Sequence, residues 1–593
     1  MASYKAPLRD MRFVLNELLG GCDVEVEQFQ DYTPDLIDSI LEEAAKVSEE
    51  VLQPINRSGD EEGCTLDNGV VRTPKGFKEA YDTYRAGGWT STTCDPAYGG
   101  QGMPHLVHVL IEEMICSANL SFSLYPGLTN GAYVAIHAHG SDELKSKYLP
   151  KMIDGTWSGT MCLTEPHCGT DLGLLRTQAA PQADGTYRIS GTKIFISAGE
   201  HDLTENIIHL VLARLPGAPK GVKGISLFLV PKFLVNGDGS VGARNGVAVG
   251  SIEHKMGLKA SATCVMNFDG AEGYLIGEPN KGMRAMFAMM NTERVAVGVQ
   301  GLGLVEASYQ GAVTYAKDRL QGRSLTGTKS PDKPADPIIV HPDVRRMLLT
   351  QRAYAEGGRA LAAWVSQAID REHHHTDPAV RQKSEDFVAL MTPVVKALLT
   401  DFATECSNLG VQVYGGHGYI REWGMEQFVR DARITQLYEG TNGVQALDLV
   451  GRKLPAHAGR YLRSFFHPVD SFIAANKDVP AMAEFIEPLA KSFGRLQQAT
   501  IAVATKSLSN PDEAGAASTD YLRLFGLTAL AYLWARMAKI SLERRDGGEA
   551  EFYDAKLSTA RFFMQKLLPQ SGALLASISA GASSVIEMPE AAF

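Results

Sequence analysis

A chain of 593 residues that is 45% hydrophobic can bury a large core and is too long for one compact unit, so several domains are expected. The net charge of −11, from 57 Lys and Arg against 68 Asp and Glu, argues against a general nucleic-acid binder, although a local basic groove remains compatible with it. The eight cysteines are scattered without a CxxC pair, show neither a zinc frame nor a disulfide framework, and read as reduced cytosolic thiols.

Met1-Ala2-Ser3-Tyr4-Lys5 opens no apolar signal-peptide core. The longest apolar helical run, 524–535, is roughly a dozen residues, short of the ~20 that span a bilayer. A cytoplasmic protein without a transmembrane segment is expected. Thr33-Pro34-Asp35 is a helix start, and Leu36, Ile37, Ile40, Leu41, Ala44 and Val47 follow at helical spacing. Glycine and proline punctuate 95–102, and helical patterns resume through 105–117 and 142–152. Residues 1–157 therefore read as an N-terminal extension and helical domain. After the Asp184-Gly185 turn signal, residues 187–197 alternate, and 209–214, 224–230 and 264–268 are further β-branched or aromatic runs. Residues 158–281 read as a β-domain. Long amphipathic patterns at 283–304, 305–319, 343–369, 385–414 and 443–454 make 282–460 a helical bundle, interrupted by a polar Gly/Pro-rich connection at 321–337. A last helical block makes 461–593 a C-terminal domain. Strands gathered between helical blocks predict an α+β fold, without the alternation of a doubly wound sheet.

Several signals are weak. Gly237-Asp238-Gly239-Ser240-Val241-Gly242 matches GxGxxG, but a strand-like run follows it where a dinucleotide site needs a helix, so a β–β loop is expected. His373-His374-His375 reads as a solvated loop, and His137 and His139 as capping or packing groups. No metal site is expected.

Three segments carry chemistry. In Met161-Cys162-Leu163-Thr164-Glu165-Pro166-His167-Cys168-Gly169-Thr170-Asp171, Pro166 and Gly169 force an irregular loop that frees backbone N–H groups beside two threonine hydroxyls. In Gln412-Val413-Tyr414-Gly415-Gly416-His417-Gly418-Tyr419, glycines close a long helix and allow close approach to an anion. In Arg430-Asp431-Ala432-Arg433-Ile434-Thr435-Gln436-Leu437-Tyr438-Glu439-Gly440-Thr441-Asn442, a carboxylate precedes a helix that begins near Thr441. Singly, these also fit a strand-to-loop transition, a helix cap and a solvated acid.

Together, in this order, the segments resemble the acyl-CoA dehydrogenase family over residues 35–455. The block beyond 460 is similar to the extra helical domain of long members, and the whole chain to long bacterial enzymes, the 3-methylmercaptopropionyl-CoA dehydrogenase type among them. The resemblance implies a helical domain, a β-barrel-like domain and a helical bundle, with FAD as cofactor and fatty acyl-CoA as substrate of α,β-dehydrogenation in β-oxidation. It implies Glu439 as the base. It implies FAD contacts from Met161, Leu163, Thr164, Gly169, Thr170, Phe195 (where relatives often carry Trp), Ser197, Arg319, Gln321, Gln412, Gly415, Gly416 and Thr441. Gln412, Gly415 and Gly416 would reach the cofactor of a neighbouring subunit in a homodimer. Thr170, Arg294 and Gly440 would face substrate.

Glu293 stands where the isovaleryl-type branch has its base, but those relatives lack the glutamate that this chain keeps at 439, so Glu439 is favoured and Glu293 reads as a structural partner of Arg294. His167 and Cys168 replace a usual Gly-Ala pair and would alter flavin potential or oxygen access. Electron-transfer flavoprotein is the expected acceptor, medium-to-long straight chains the expected substrates, and acyl-CoA oxidase or a 3-methylmercaptopropionyl-CoA substrate the alternatives.

Overall fold

The computed structural model describes residues 4–22 and 26–593. The reading of Met1–Ser3 as free of a signal-peptide core lies outside the described residues. The chain divides into two units, 43–103 with 114–296, and 1–42 with 104–113 and 297–593.

The first unit is built around a seven-stranded sheet. Tyr187–Ser197 pairs antiparallel with both Thr263–Ile276 and Gln178–Pro181, and Ile225–Pro231 pairs with both Thr263–Ile276 and Asn206–Arg214. One further pair, Gln178 with Arg214, closes the ring into a barrel. Closure leaves none of these five strands with a free edge along the ring. Inward residues such as Ile189, Ile196, Val211, Phe228, Val230, Met266 and Phe268 fill it. Burying each large side chain there contributes about 1.5–3 kcal/mol. Val247–Ile252 and Trp157–Cys162 extend the sheet, the latter as a parallel partner of Asn206–Arg214. The GxGxxG-like segment is the turn of a small hairpin between Phe233–Val235 and Val241–Arg244, with Asp238 accepting from Ser240 N at 2.9 Å. Thr65–Asp67 and Val70–Arg72 form another hairpin, in a region read as helical.

The helix predicted over 105–117 runs on to His139. It bends at Asn119, where φ −159° and ψ 90° leave the helical region. Asn119 Oδ1 accepts from Phe122 N at 3.1 Å, so the side chain caps a second helical segment that sequence periodicity cannot separate from the first.

The second unit is helical. The predicted break between 304 and 305 does not occur: Gly282–Asp318 is one helix. Pro342–His374 and Pro378–Tyr414 lie against each other, with Tyr354 and Phe402 stacked at 3.7 Å. Glycine permits one close approach here, since a Cβ on Gly301 would lie 2.7 Å from Leu399 O. A buried charge network joins distant segments. Arg359 reaches Glu113 at 2.9 Å, Glu306 at 2.8 Å, and Asp10, while Lys556 reaches Glu356 at 2.7 Å and the same Asp10. Such pairs are costly to desolvate, and breaking one strands a buried charge.

Two sequence readings are corrected. His373 and His374 end the Pro342–His374 helix instead of forming a solvated loop, because the helical pattern continues through them, and His375 is buried. Two helical segments, His105–His139 and Pro378–Tyr419, are long and apolar enough to cross a membrane, which the search for unbroken apolar runs missed; 89% and 78% of their apolar windows are buried within the protein, as in core helices.

Candidate active site

In the β-rich unit the strand Trp157–Cys162 ends in a loop organised by one buried acid. Glu165 and Cys168 exchange backbone hydrogen bonds at 2.9 and 3.0 Å, closing a tight turn over Pro166 and His167. The Glu165 carboxylate accepts from Lys193 Nζ at 2.8 Å, Thr177 N at 3.0 Å, Thr177 Oγ1 at 2.6 Å and Arg176 N at 2.7 Å. Burial pushes its pKa up, but the Lys193 charge and these hydrogen bonds outweigh burial and hold it down at about 2. Lys193 is 0% exposed and also donates to Leu163 O at 2.9 Å, while Ile194 N donates to Thr164 O at 2.9 Å.

These bonds consume the loop's acceptors and leave donors over. The N–H groups of Thr164, Gly169 and Thr170, and the hydroxyls of Thr164 and Thr170, have no partner among the described residues. Thr164 lies against Gly169, where an added Cβ would meet Thr164 Cγ2 at 3.7 Å. A ring edge or phosphate rich in acceptors is the complement of that donor set.

Glu165, His167 and Cys168 also place their ligand atoms within 4.8 Å of one another. The Lys193 ammonium already neutralises that carboxylate, so a metal cation there would meet like charge. The trio acts as a staple for the loop, with His167 Nε2 hydrogen-bonded to Leu174 O at 3.0 Å.

Beside this loop the ladder between Tyr187–Ser197 and Thr263–Ile276 slips between Cys264 and Met266. The bulge leaves Phe195 at φ +59° and 60% exposed. A bulge re-aims a side chain out of the pleat. Here it presents a bare aromatic face next to the unpaired donors, with half-buried Ser197 two residues on. In the same unit Glu293 and Arg294 are buried, and Glu293 Oε1 sits where a Cβ on Gly131 would be 2.3 Å away. Only glycine leaves room for that carboxylate. Arg294 reaches Asn291 Oδ1 at 3.3 Å.

In the helical unit Met425–Thr435 gives way to a loop that ends at Thr441, the cap of Asn442–Asp448, whose Oγ1 accepts from Val444 N at 3.3 Å. Glu439 and Gly440 both have positive φ, +58° and +84°. For glutamate this left-handed conformation costs about 1–2 kcal/mol. It persists because both ends of the loop are held. Asn442 accepts from the buried Lys396 at 2.9 Å and donates to Asp401 at 2.7 Å, and Gln436 donates to the same Asp401 oxygen at 2.6 Å. Tyr438 donates to Gln300.

The other predicted residues gather where two helices end. Tyr315 stacks on Tyr414 at 4.1 Å and its hydroxyl meets His417 Nδ1 at 2.9 Å, which brings the end of Gly282–Asp318 to the 412–419 turn. Gln412, Gly415 and Gly416 are exposed there. Gly415 needs φ +60°, and an added Cβ at either glycine would meet nothing within 4 Å. Arg319 is exposed and makes no ion pair among the described residues. Arg323, by contrast, is spent within its own loop on Ser330 O at 2.9 Å, Lys333 O at 2.7 Å and Asp336. Gln321 is exposed, with its main chain tied to Asp336 O and His341. Sequence reasoning missed Asp336, which accepts from Ser324 N, Lys329 N and Ser330 N and orders the polar connection; Asp before Pro337 is its only local signal.

A barrel rim with unspent donors and a bare aromatic face suits a planar, acceptor-rich ring, and the helical unit separately carries a strained carboxylate. Family models match in order along the chain: acyl-CoA dehydrogenase N-terminal domain over 37–156, middle domain over 160–271, C-terminal domain over 280–454, and an acetyl-CoA dehydrogenase C-terminal-like model over 465–589. The chain belongs to the acyl-CoA dehydrogenase family, whose members are FAD-dependent enzymes. A 3-methylmercaptopropionyl-CoA dehydrogenase of Ruegeria pomeroyi is 44% identical over 576 residues, covering 96% of this chain and 97% of its own. A butyryl-CoA dehydrogenase of Syntrophomonas wolfei is 36% identical over 614 residues, covering 100% of this chain and 99% of its own. An acyl-CoA dehydrogenase complexed with FAD from Bacillus anthracis has the same fold, with a TM-score of 0.74 at 20% identity over 93% of this chain and 89% of its own.

Proposed function

We propose that Glu439 removes the α-proton of a short linear acyl-CoA in an FAD-dependent dehydrogenation that yields the trans-2-enoyl-CoA. The observation that carries the choice of base is the Glu439 backbone, a glutamate kept in a left-handed conformation by a loop pinned at both ends. Strain of this kind is retained where a side chain must be aimed. Glu165, the other loop acid, is saturated by Lys193 and three further donors and holds no capacity for a proton near neutrality.

In this reading the Cα–H bond breaks toward the Glu439 carboxylate, which becomes the neutral acid. Its main-chain N–H polarises the thioester carbonyl, so that charge developing on oxygen meets a fixed donor. A positioned base contributes about 10²–10⁴ in rate. FAD, when bound, supplies the acceptor for the hydride that leaves Cβ. Thr164, Gly169 and Thr170 would hold it through their unpaired donors, Phe195 would cover its ring, and Arg319 would pair with its pyrophosphate. Thr170, Arg294 and Gly440 would line the substrate, and Thr441 the cofactor. Glu293 keeps a structural part against Gly131.

The substrate class rests on two relatives that align over nearly the whole chain and are named for butyryl and 3-methylmercaptopropionyl groups; a third, 35% identical over 617 residues, is named a broad-specificity linear acyl-CoA dehydrogenase. Tyr419, 83% exposed, with Ile420 and Trp423 makes an apolar surface next to Gly415 and Gly416, which supports a homodimer in which Gln412 reaches the partner's cofactor. Electron-transfer flavoprotein is the proposed acceptor.

Yellow enzyme assayed with an artificial acceptor against a series of acyl-CoA lengths tests both halves. Highest kcat/KM on butyryl- or methylthiopropionyl-CoA is expected; a maximum at long chains moves the substrate to the class expected from the long form. Glu439→Gln should keep FAD and lose dehydrogenation, whereas full activity there with loss in Glu293→Gln reverses the roles. Stoichiometric peroxide without added acceptor would make the enzyme an oxidase.

A further inference from the structure

One buried side chain beside Glu439 has no part in the chemistry above. Gln445, on the helix Asn442–Asp448, is 1% exposed and turns its amide back toward the loop. Its Nε2 donates to Glu439 O at 3.0 Å and to Gly440 O at 3.3 Å. Two carbonyl acceptors require the nitrogen on that side, which settles the orientation of the amide. Its Oε1 is then buried with no hydrogen-bond partner.

A buried acceptor left unsatisfied lowers stability. An apolar residue of the same length would avoid that loss, so the gain lies in the donor end. The two bonds fix the peptide planes on either side of Gly440, and with them the ψ angles of Glu439 and Gly440. The direction of a Cα–Cβ bond follows from its backbone, so these planes decide where the carboxylate points. The loop ends are secured separately, Gln436 and Asn442 on Asp401 and Lys396, and Thr441 on Val444 N. Loss of the Gln445 bonds therefore loosens the peptide planes that aim Glu439 without detaching the loop ends.

We infer that Gln445 is a positioning residue for dehydrogenation, acting through the Glu439 main chain and serving turnover in preference to substrate or cofactor affinity. This rests on Glu439 being the base. A misplacement of about 1 Å at a reacting group costs on the order of 10²-fold in rate.

The test uses FAD-loaded full-length enzyme with butyryl-CoA. Gln445→Met keeps the length and removes both N–H donors. It should slow anaerobic flavin bleaching and kcat by about 10²-fold while KM and FAD content stay within roughly threefold. Placed on Glu439→Gln, it should give no further loss, because the two residues act as a unit. Gln445→Asn, too short for both carbonyls, should show the same split at smaller amplitude. In FAD-replete Gln445→Met, a kcat within about twofold of the parent, or a loss carried by KM, overturns the inference. If Gln445→Met does not hold FAD, a parental kcat in Gln445→Asn overturns it instead. Full activity in Glu439→Gln removes the base assignment itself; an inactive Glu439→Gln beside a normal Gln445→Met removes only the role of Gln445.

Discussion

Glu165 and Glu439 look alike in sequence, each an acid followed by a turn-forming residue, Pro166 in one case and Gly440 in the other. The structure treats them oppositely. At Glu165 the neighbours bind the carboxylate: Lys193, Thr177 and Arg176 donate to it, and its pKa falls to about 2. At Glu439 the neighbours bind the main chain: Gln445 holds the carbonyls and the flanking Gln436 and Asn442 are tied to Asp401. An acid whose oxygens are saturated can hold a loop in shape. One held by its backbone can be aimed.

If that contrast is right, the two acids should respond to substitution with opposite signs. Glu165→Gln strands the Lys193 ammonium in the barrel wall and should cost about 3–5 kcal/mol, read from the denaturant midpoint, with FAD content falling alongside. A loss below about 1 kcal/mol would mean that Lys193 is solvated and the loop is held by other bonds. Next in size, Gly131→Ala sets a methyl 2.3 Å from Glu293 Oε1 and 3.0 Å from Met289, and should cost about 1–3 kcal/mol. An unchanged midpoint there would show Glu293 mobile and reopen its part in the reaction. Thr441→Ala removes the cap behind the Glu439 loop and should cost about 1 kcal/mol by the same measurement.

Glu439→Gly should do the reverse of Glu165→Gln and raise stability. Relief of about 1–2 kcal/mol of left-handed strain exceeds the 0.5–1 kcal/mol entropy of glycine, for a net gain of about 0.5–1 kcal/mol, while dehydrogenation is lost. A destabilised Glu439→Gly would show that the carboxylate itself supports the fold. The last effect is in pH. The folded pKa of Glu165 lies below its ordinary 4.5, so its contribution is present above that value and is lost as pH falls toward about 2. The midpoint difference between parent and Glu165→Gln should therefore shrink only below pH 4.5, and a difference that stays constant down to pH 2 would remove the linkage.

Much of this was legible in the residues. Period-two alternation set the strand Tyr187–Ser197 to its ends, and Thr441 before Asn442 marked the helix start. The glycines after Tyr414 marked where Pro378–Tyr414 stops. Pro166 and Gly169 announced an irregular loop between strands. Local signals of this kind survive because propensity, capping and turn chemistry act over a few residues. The bulge that turns Phe195 outward was not legible, since alternation counts residues and is blind to register with Thr263–Ile276. Nor was the buried join of Asp10 with Lys556, 546 residues apart.

By itself, then, the sequence determined the order of helical and β segments, the loops that interrupt them and the family resemblance that singled out Glu439. Only the tertiary structure decided which acid is spent on Lys193, which arginine is spent on its own loop, and that a glutamine six residues on holds the main chain of the base. The reason is physical: a hydrogen bond satisfies whichever partner folding brings within about 3 Å, and that choice is made between elements far apart in the chain.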